Sequence, residues 1–150
     1  MNQDEDDAIR GNLTGNYQVR IFRPAFDDVE GLCNRTKDKI EIRRHALKLR
    51  YWPKQTDSDD GGQIVDMDWS WIKSLPSTRI GELRIHDDIS GNDNLRVIFF
   101  VGDPLKIETM PVIWVLSVFQ KKRDDFTAAQ IRVFKGRRLL VLERFYQHAI

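Results

Sequence analysis

The stretch Gly81–Val101, GELRIHDDISGNDNLRVIFFV, decides the fold. Two apolar runs of period two flank the turn-rich break DDISGNDN, yet Arg84, His86 and Arg96 interrupt them. Side chains alternate across a strand, so parity sorts each residue to a face. Leu95, Val97, Phe99 and Val101 share one face of the second run, and Arg96, Ile98 and Phe100 the other. In the first run Gly81, Leu83 and Ile85 oppose Ile80, Glu82, Arg84 and His86. Placing Leu83, Ile85, Val97 and Phe99 against helices leaves Arg84, His86 and Arg96 together on the opposite face. The expectation is a sheet with one covered side and one bare side that gathers cations.

Working outward, YQVRIFR (17–23) alternates as a first strand. Pro24 suits the first turn of a helix over PAFDDVEGLCNR, with its acids placed early where the dipole favours them. A second helix, TKDKIEIRRHALKLRYW, starts from a Thr36 or Asp38 cap and stops before Pro53. Residues 53–63 read as loop. The segment IVDMDWSWIKSLPS reads as a short strand or a turn of helix that pins Trp69 and Trp71 to the core. Three strands follow, Thr78–His86, Leu95–Val101 and Val112–Phe119. A closing helix runs from a Thr127 cap to about Gln147, with Gly136 as its weak point. Strands kept apart from helices signal an α+β domain: a mostly antiparallel sheet, two N-terminal helices packed on one face, and a C-terminal helix.

The 150 residues suit one domain, 17–150, behind a polar acidic tail over 1–16. An apolar share of 41% excludes a disordered chain, and no apolar run has the ~18 residues of a membrane span. An acidic start is the reverse of a secretory signal, so a cytoplasmic location is expected. Cys33 stands alone, which excludes an internal disulfide and a Cys/His zinc cluster. There is no Gly-rich phosphate loop, GxSxG or HExxH, and neither metal nor cofactor is expected. Setting residues 1–16 aside removes one base and four acids and leaves a net charge of +4. From Gln120 onward eight bases face three acids, a balance suited to a polyanion or to a solvated basic helix face.

For the strand arginines the plain reading is cross-strand pairing of Arg84 and Arg96 with Glu82 or Asp93. A second reading comes from a resemblance. The hairpin around GELRIHDDISGNDNLRVIFFV resembles the ELR and RvlyF strands of the RelE/ParE toxin superfamily, HigB-like branch. The segment PVIWVLSVFQKKRDDFTAAQIRVFKGR is similar to that branch's last strand, which ends in Phe-x-Lys-Lys and leads into a Thr-Pro-capped helix. Those positions are Phe119, Lys121, Lys122 and Thr127 here, with Ala128 where the proline usually sits. The likeness spans about Tyr17 to Tyr146 and is specific over Glu82–Thr127.

The resemblance implies the toxin of a type II toxin–antitoxin pair: a ribosome-dependent messenger-RNA endonuclease acting without metal and held inactive by a cognate antitoxin. Its partners would be the antitoxin protein and mRNA on the ribosome, with a homodimer left open. Arg84 and Arg96 would clamp phosphate, His86 would act as base, and Tyr146 and His148 are reserve candidates. Lys121, Lys122 and Arg123 would contact the RNA backbone. Arginine offers a planar fork that matches phosphate oxygens, lysine a point charge, and histidine a proton acceptor near neutral pH. Two other functions stay open: a catalytically silent member that binds a protein or RNA, and a ParE-like gyrase inhibitor.

Overall fold

The structure is a computed structural model that describes residues 16–53, 67–105, 108–122 and 125–146. The expected acidic tail therefore lies outside the described residues, except for Asn16, and so does most of the loop after Pro53. Strand β1 (Gln18–Ile21) leads into helix α1 (Arg23–Leu32) and helix α2 (Thr36–Leu47), which tightens into a 3₁₀ turn over Lys48–Tyr51. Strands β2 (Asp68–Trp71), β3 (Ile80–Ile85), β4 (Leu95–Gly102) and β5 (Val112–Gln120) follow. Helix α3 (Ala128–Val141) closes the domain and passes into a π turn over Leu142–Tyr146. Among the described residues no helix is long and apolar enough to cross a membrane.

Several local signals act as read. Pro24 sits in the opening turn of α1. Thr127 and Gln130 form a reciprocal capping box that starts α3. Pro53 stops the chain that follows α2. Other details differ. Arg35, not Thr36 or Asp38, is the N-cap of α2, and it offers no side-chain cap. Because α1 begins at Arg23, Asp27 and Asp28 fall beyond its first turn. The ambiguous tryptophan segment is an edge strand, and α3 runs through Gly136 unbroken.

The sheet has five strands in the order β1-β5-β4-β3-β2. Three pairings are antiparallel, and β1 runs parallel to β5 with Gln18 opposite Val112. Parity assigned the first face correctly. Leu83, Ile85, Val97 and Phe99 pack in one cluster with Ala25 of α1 and Ile42 and Ala46 of α2. Gly81 belongs to this face because a Cβ there would stand 2.6 Å from the Phe99 ring.

The second face is not bare. Ile80, Ile98, Phe100, Trp114 and Leu116 pack with Phe134 and Val141 of α3, so the C-terminal helix covers the middle of that side. Every residue of β4 is buried as a result. The expected open surface shrinks to one end of this face.

The two helical layers meet at the exposed edge of β5. Strand β1 ends opposite Val115, so the rest of β5 has no neighbouring strand on that side. A bulge at Leu116 also interrupts the pairing with β4 between Ile98 and Phe99. Unpaired edge groups need partners. Asp28 of α1 supplies one, accepting from Val118 N at 3.1 Å and Ser117 Oγ at 2.7 Å. Arg137 of α3 reaches the same carboxylate at 2.7 Å and donates to the Leu116 carbonyl at 2.8 Å. One ion pair thus joins both layers to the irregular part of the edge strand. Asp28→Ala should lower stability by about 2–3 kcal/mol, since it strands a charged donor and two strand groups. Arg137→Met should cost a similar amount, and the double variant less than the sum of the two. Urea unfolding of the four chains measures this; full additivity would mean that the pair does not act as a unit.

Candidate functional site

The register builds a row across one end of the second face. Asp68 of β2 lies opposite Arg84 of β3, Arg84 opposite Arg96 of β4, and Arg96 opposite Phe119 of β5. Glu82 sits two residues back along β3, on the same face. The two arginines are thus immediate neighbours, as parity predicted, but acids accompany both.

Arg96 is nearly buried, with Nη1 2.9 Å from Glu82 Oε1 and Nη2 2.9 Å from Asn94 Oδ1. Burial pulls its pKa down and the nearby Arg84 adds to the pull, while Glu82 opposes them. Arg84 is half-exposed and held more loosely, 3.5 Å from Asp68 and 3.8 Å from Glu82. Two guanidinium groups and two carboxylates leave no net charge in the row. The expected concentration of cations is therefore an ion-pair ladder. Of the two carboxylates proposed as plain partners, Glu82 takes both arginines, whereas Asp93 accepts from Gln120.

His86 follows the last residue of β3 and is 69% exposed. Its Nε2 lies 2.9 Å from Asp68 Oδ2, so the other ring nitrogen remains to meet solvent or a substrate. Asn94 is a further residue of the site. Its backbone is left-handed, at φ 58°, a conformation asparagine tolerates. Its side chain holds Arg96 on one side and donates to the Lys121 carbonyl at 2.8 Å on the other. Lys121 is thereby tied to this end of the sheet, with Nζ 4.6 Å from the Phe126 ring centroid. Lys122 follows it and is exposed. Asp68 and Asn94 were both missed in the sequence. Asp68 had a usable signal in its alternation with Ser70 against Trp69 and Trp71.

The remaining expected residues do not join this group. Tyr146 donates to the Asp103 carbonyl at 2.7 Å and accepts from Trp114 Nε1 at 2.9 Å. A Cβ on Gly102 would come within 2.6 Å of the Tyr146 hydroxyl. Tyr146 therefore stands at the Gly102 end of β4, about 20 Å along the strand from Arg96 at ~3.3 Å per residue. That length of sheet separates it from Arg84 and His86 on the same face, so the structure does not bring it to them. His148 and Arg123 lie outside the described residues.

Among the described residues one group could hold a metal ion. His45 Nε2 lies 3.0 Å from Asp87 Oδ2 and 3.7 Å from Glu41 Oε1. A hydrogen bond from a neutral ring to Asp87 also accounts for this arrangement. Burial pushes the His45 pKa below its ordinary 6.5, and Lys48 adds to the effect against the pull of Asp87 and Glu41.

Comparison with protein-family models, curated proteins and solved structures finds no match.

Two outcomes follow from this geometry. Glu82→Gln should destabilise the fold by about 3 kcal/mol because it leaves Arg96 buried without its counter-charge. Replacing both residues, Glu82→Met with Arg96→Met, should recover most of that loss in a urea titration. The depressed pKa of His45 means that the unfolded chain binds its proton first. Its contribution is therefore favourable above pH 6.5, and stability falls as the pH drops through 6.5 toward the lower folded value. Urea midpoints measured across this range should fall more for the wild type than for His45→Gln; parallel curves would rule the histidine out.

Proposed function

We propose that the chain is an endoribonuclease of RelE-like, HigB-like type, the toxin of a type II toxin–antitoxin pair, which cuts messenger RNA on the ribosome. The observation that carries this reading is the Asp68–His86 pair standing beside the half-exposed Arg84. The element order of strand, two helices, antiparallel strands and closing helix supports it, as does the position of Lys121 next to Arg96 through Asn94.

In this reaction the free ring nitrogen of His86 takes the proton of a ribose 2′-hydroxyl. The 2′-oxygen attacks phosphorus, the P–O5′ bond breaks, and the leaving oxygen takes a proton from water. The products are a 2′,3′-cyclic phosphate and a 5′-hydroxyl, and the chemistry needs no metal. Asp68 orients the imidazole and stabilises its charged form. Arg84 neutralises the phosphorane oxygens from an already fixed position. Arg96 acts from behind: with Glu82 it sets the position of Arg84. Lys121 and Lys122 meet the backbone of the bound strand, with Arg123 beside them in sequence.

One observation favours a second reading. Glu82 and Asp68 already satisfy both arginines, which suits a catalytically silent member that uses this end of the sheet to bind a protein or RNA. Induced expression in bacteria separates the two. The nuclease reading expects growth arrest with mRNA cleavage, relieved by His86→Ala and by Arg84→Ala. On purified ribosomes His86→Ala should slow cleavage by about 10²–10⁴-fold. Harmless expression with intact mRNA would select the silent binder, and arrest with DNA damage the gyrase inhibitor.

A further inference from the structure

We propose that the cavity at the Gly102 end of the sheet binds the phosphate monoester group of a small molecule. This site is separate from the Asp68–His86 end and does not depend on the function proposed for it. The cavity, of about 350 Å³, opens between the hairpin and the C-terminal helix, with Arg79, Phe100, Gly102, Arg138, Leu142 and Tyr146 among its walls.

Its distinguishing feature is uncompensated charge. The Arg138 guanidinium lies 5.0 Å from the Phe100 ring centroid, and its Nε is buried with no acceptor. Burial pushes the Arg138 pKa down, and no nearby acid offsets the effect. Among the described residues neither the exposed Arg79 nor the half-buried Arg138 makes an ion pair, and the exposed Asp103 also borders the cavity; Arg138 is the one withdrawn from water. Cations withdrawn from water are normally paired, because desolvation without a partner is costly. Two other arginines that pack against this sheet follow that rule, Arg96 with Glu82 and Arg137 with Asp28. A ligand anion would complete the set.

The shape and charge of the cavity narrow the class. Two guanidinium groups match a dianion, and each fork fits phosphate oxygens. Phe100 and Leu142 give an apolar wall for the organic part of the ligand. The concavity suits a small molecule rather than a polymer. Tyr146 holds the wall in place, since its hydroxyl is bonded to both Trp114 and Asp103, and only a glycine at position 102 admits it.

Isothermal titration of the full chain with inorganic phosphate, phenyl phosphate and acetate tests the proposal. The expected result is saturable binding of both phosphates at about 1 mM or tighter, with phenyl phosphate the tighter ligand and acetate silent. Arg138→Met should weaken binding at least about tenfold, and Arg79→Gln should weaken it too. Lys37→Gln, an exposed position on helix α2 across the sheet, should bind as the wild type does. If Arg138→Met does not fold, Arg138→Lys keeps the charge, loses the fork, and should still bind more weakly. No saturation below about 50 mM would overturn the proposal. Unchanged binding in the Arg138 variants, loss in Lys37→Gln, or acetate binding as tightly as phosphate would overturn it equally.

Discussion

A strand buried on both faces tolerates a charge only where a counter-charge stands beside it, and β4 carries one such charge, Arg96. Glu82 meets it from the neighbouring strand at 2.9 Å, and Asn94 takes its other nitrogen. That requirement fixes much around it. Glu82 must point to the face that α3 covers farther along, which sets the register of β3 against β4. Asn94 must adopt a left-handed backbone at the strand entrance, and so ties the Lys121 carbonyl to the same spot. A slip of one residue would turn Arg96 into the apolar cluster of Leu83 and Val97. The ion pair thus acts less as a source of stability than as a lock on pairing, which is how a costly buried charge can still be useful.

The second joint is of the same kind. Asp28 and Arg137 belong to helices on opposite layers, and they meet where β5 loses its neighbour and bulges. The carboxylate serves strand groups as well as the guanidinium, so it does the work that a further edge strand would otherwise do. Both joints place charge where the regular ladder is interrupted or enclosed. The remaining aromatic contacts, such as Phe119, Phe126 and Phe134 at 5.5–5.7 Å between centroids, fill space between these fixed points.

Parity alone placed Leu83, Ile85, Val97 and Phe99 on the helix-covered face and set Arg84 beside Arg96, because period two survives in strands this long. The Thr127 cap and the halt before Pro53 were equally legible, since each rests on one residue's own chemistry. The cover over the second face was not. Helix α3 buries Phe134 and Val141 but exposes Val133, Leu139 and Leu140, so its apolar residues do not mark a single side. The parallel docking of β1 on β5 depends on contacts more than 90 residues apart and leaves no local trace. Asp68 escaped because its role comes from strand pairing with Arg84, which the alternation of its own short segment does not reveal. Tyr146 was grouped with the arginines on the strength of a resemblance that carries no distance along the sheet.

The two ends of one sheet face therefore differ in a way that composition hides. At the Asp68 end each guanidinium has a carboxylate, so any phosphate arriving there would compete with Glu82 and Asp68, and what remains distinctive is the oriented His86. At the Gly102 end Arg79 and Arg138 border a cavity in which, among the described residues, neither is ion-paired, although Asp103 also lines it. Counting cations by face makes the first end look the richer. Subtracting the partners each cation already holds reverses that order, because an anion gains most where the protein has left charge unanswered. A proton-transfer site would need orientation and an anion site would need unmet charge, and on this face those two features stand at opposite ends.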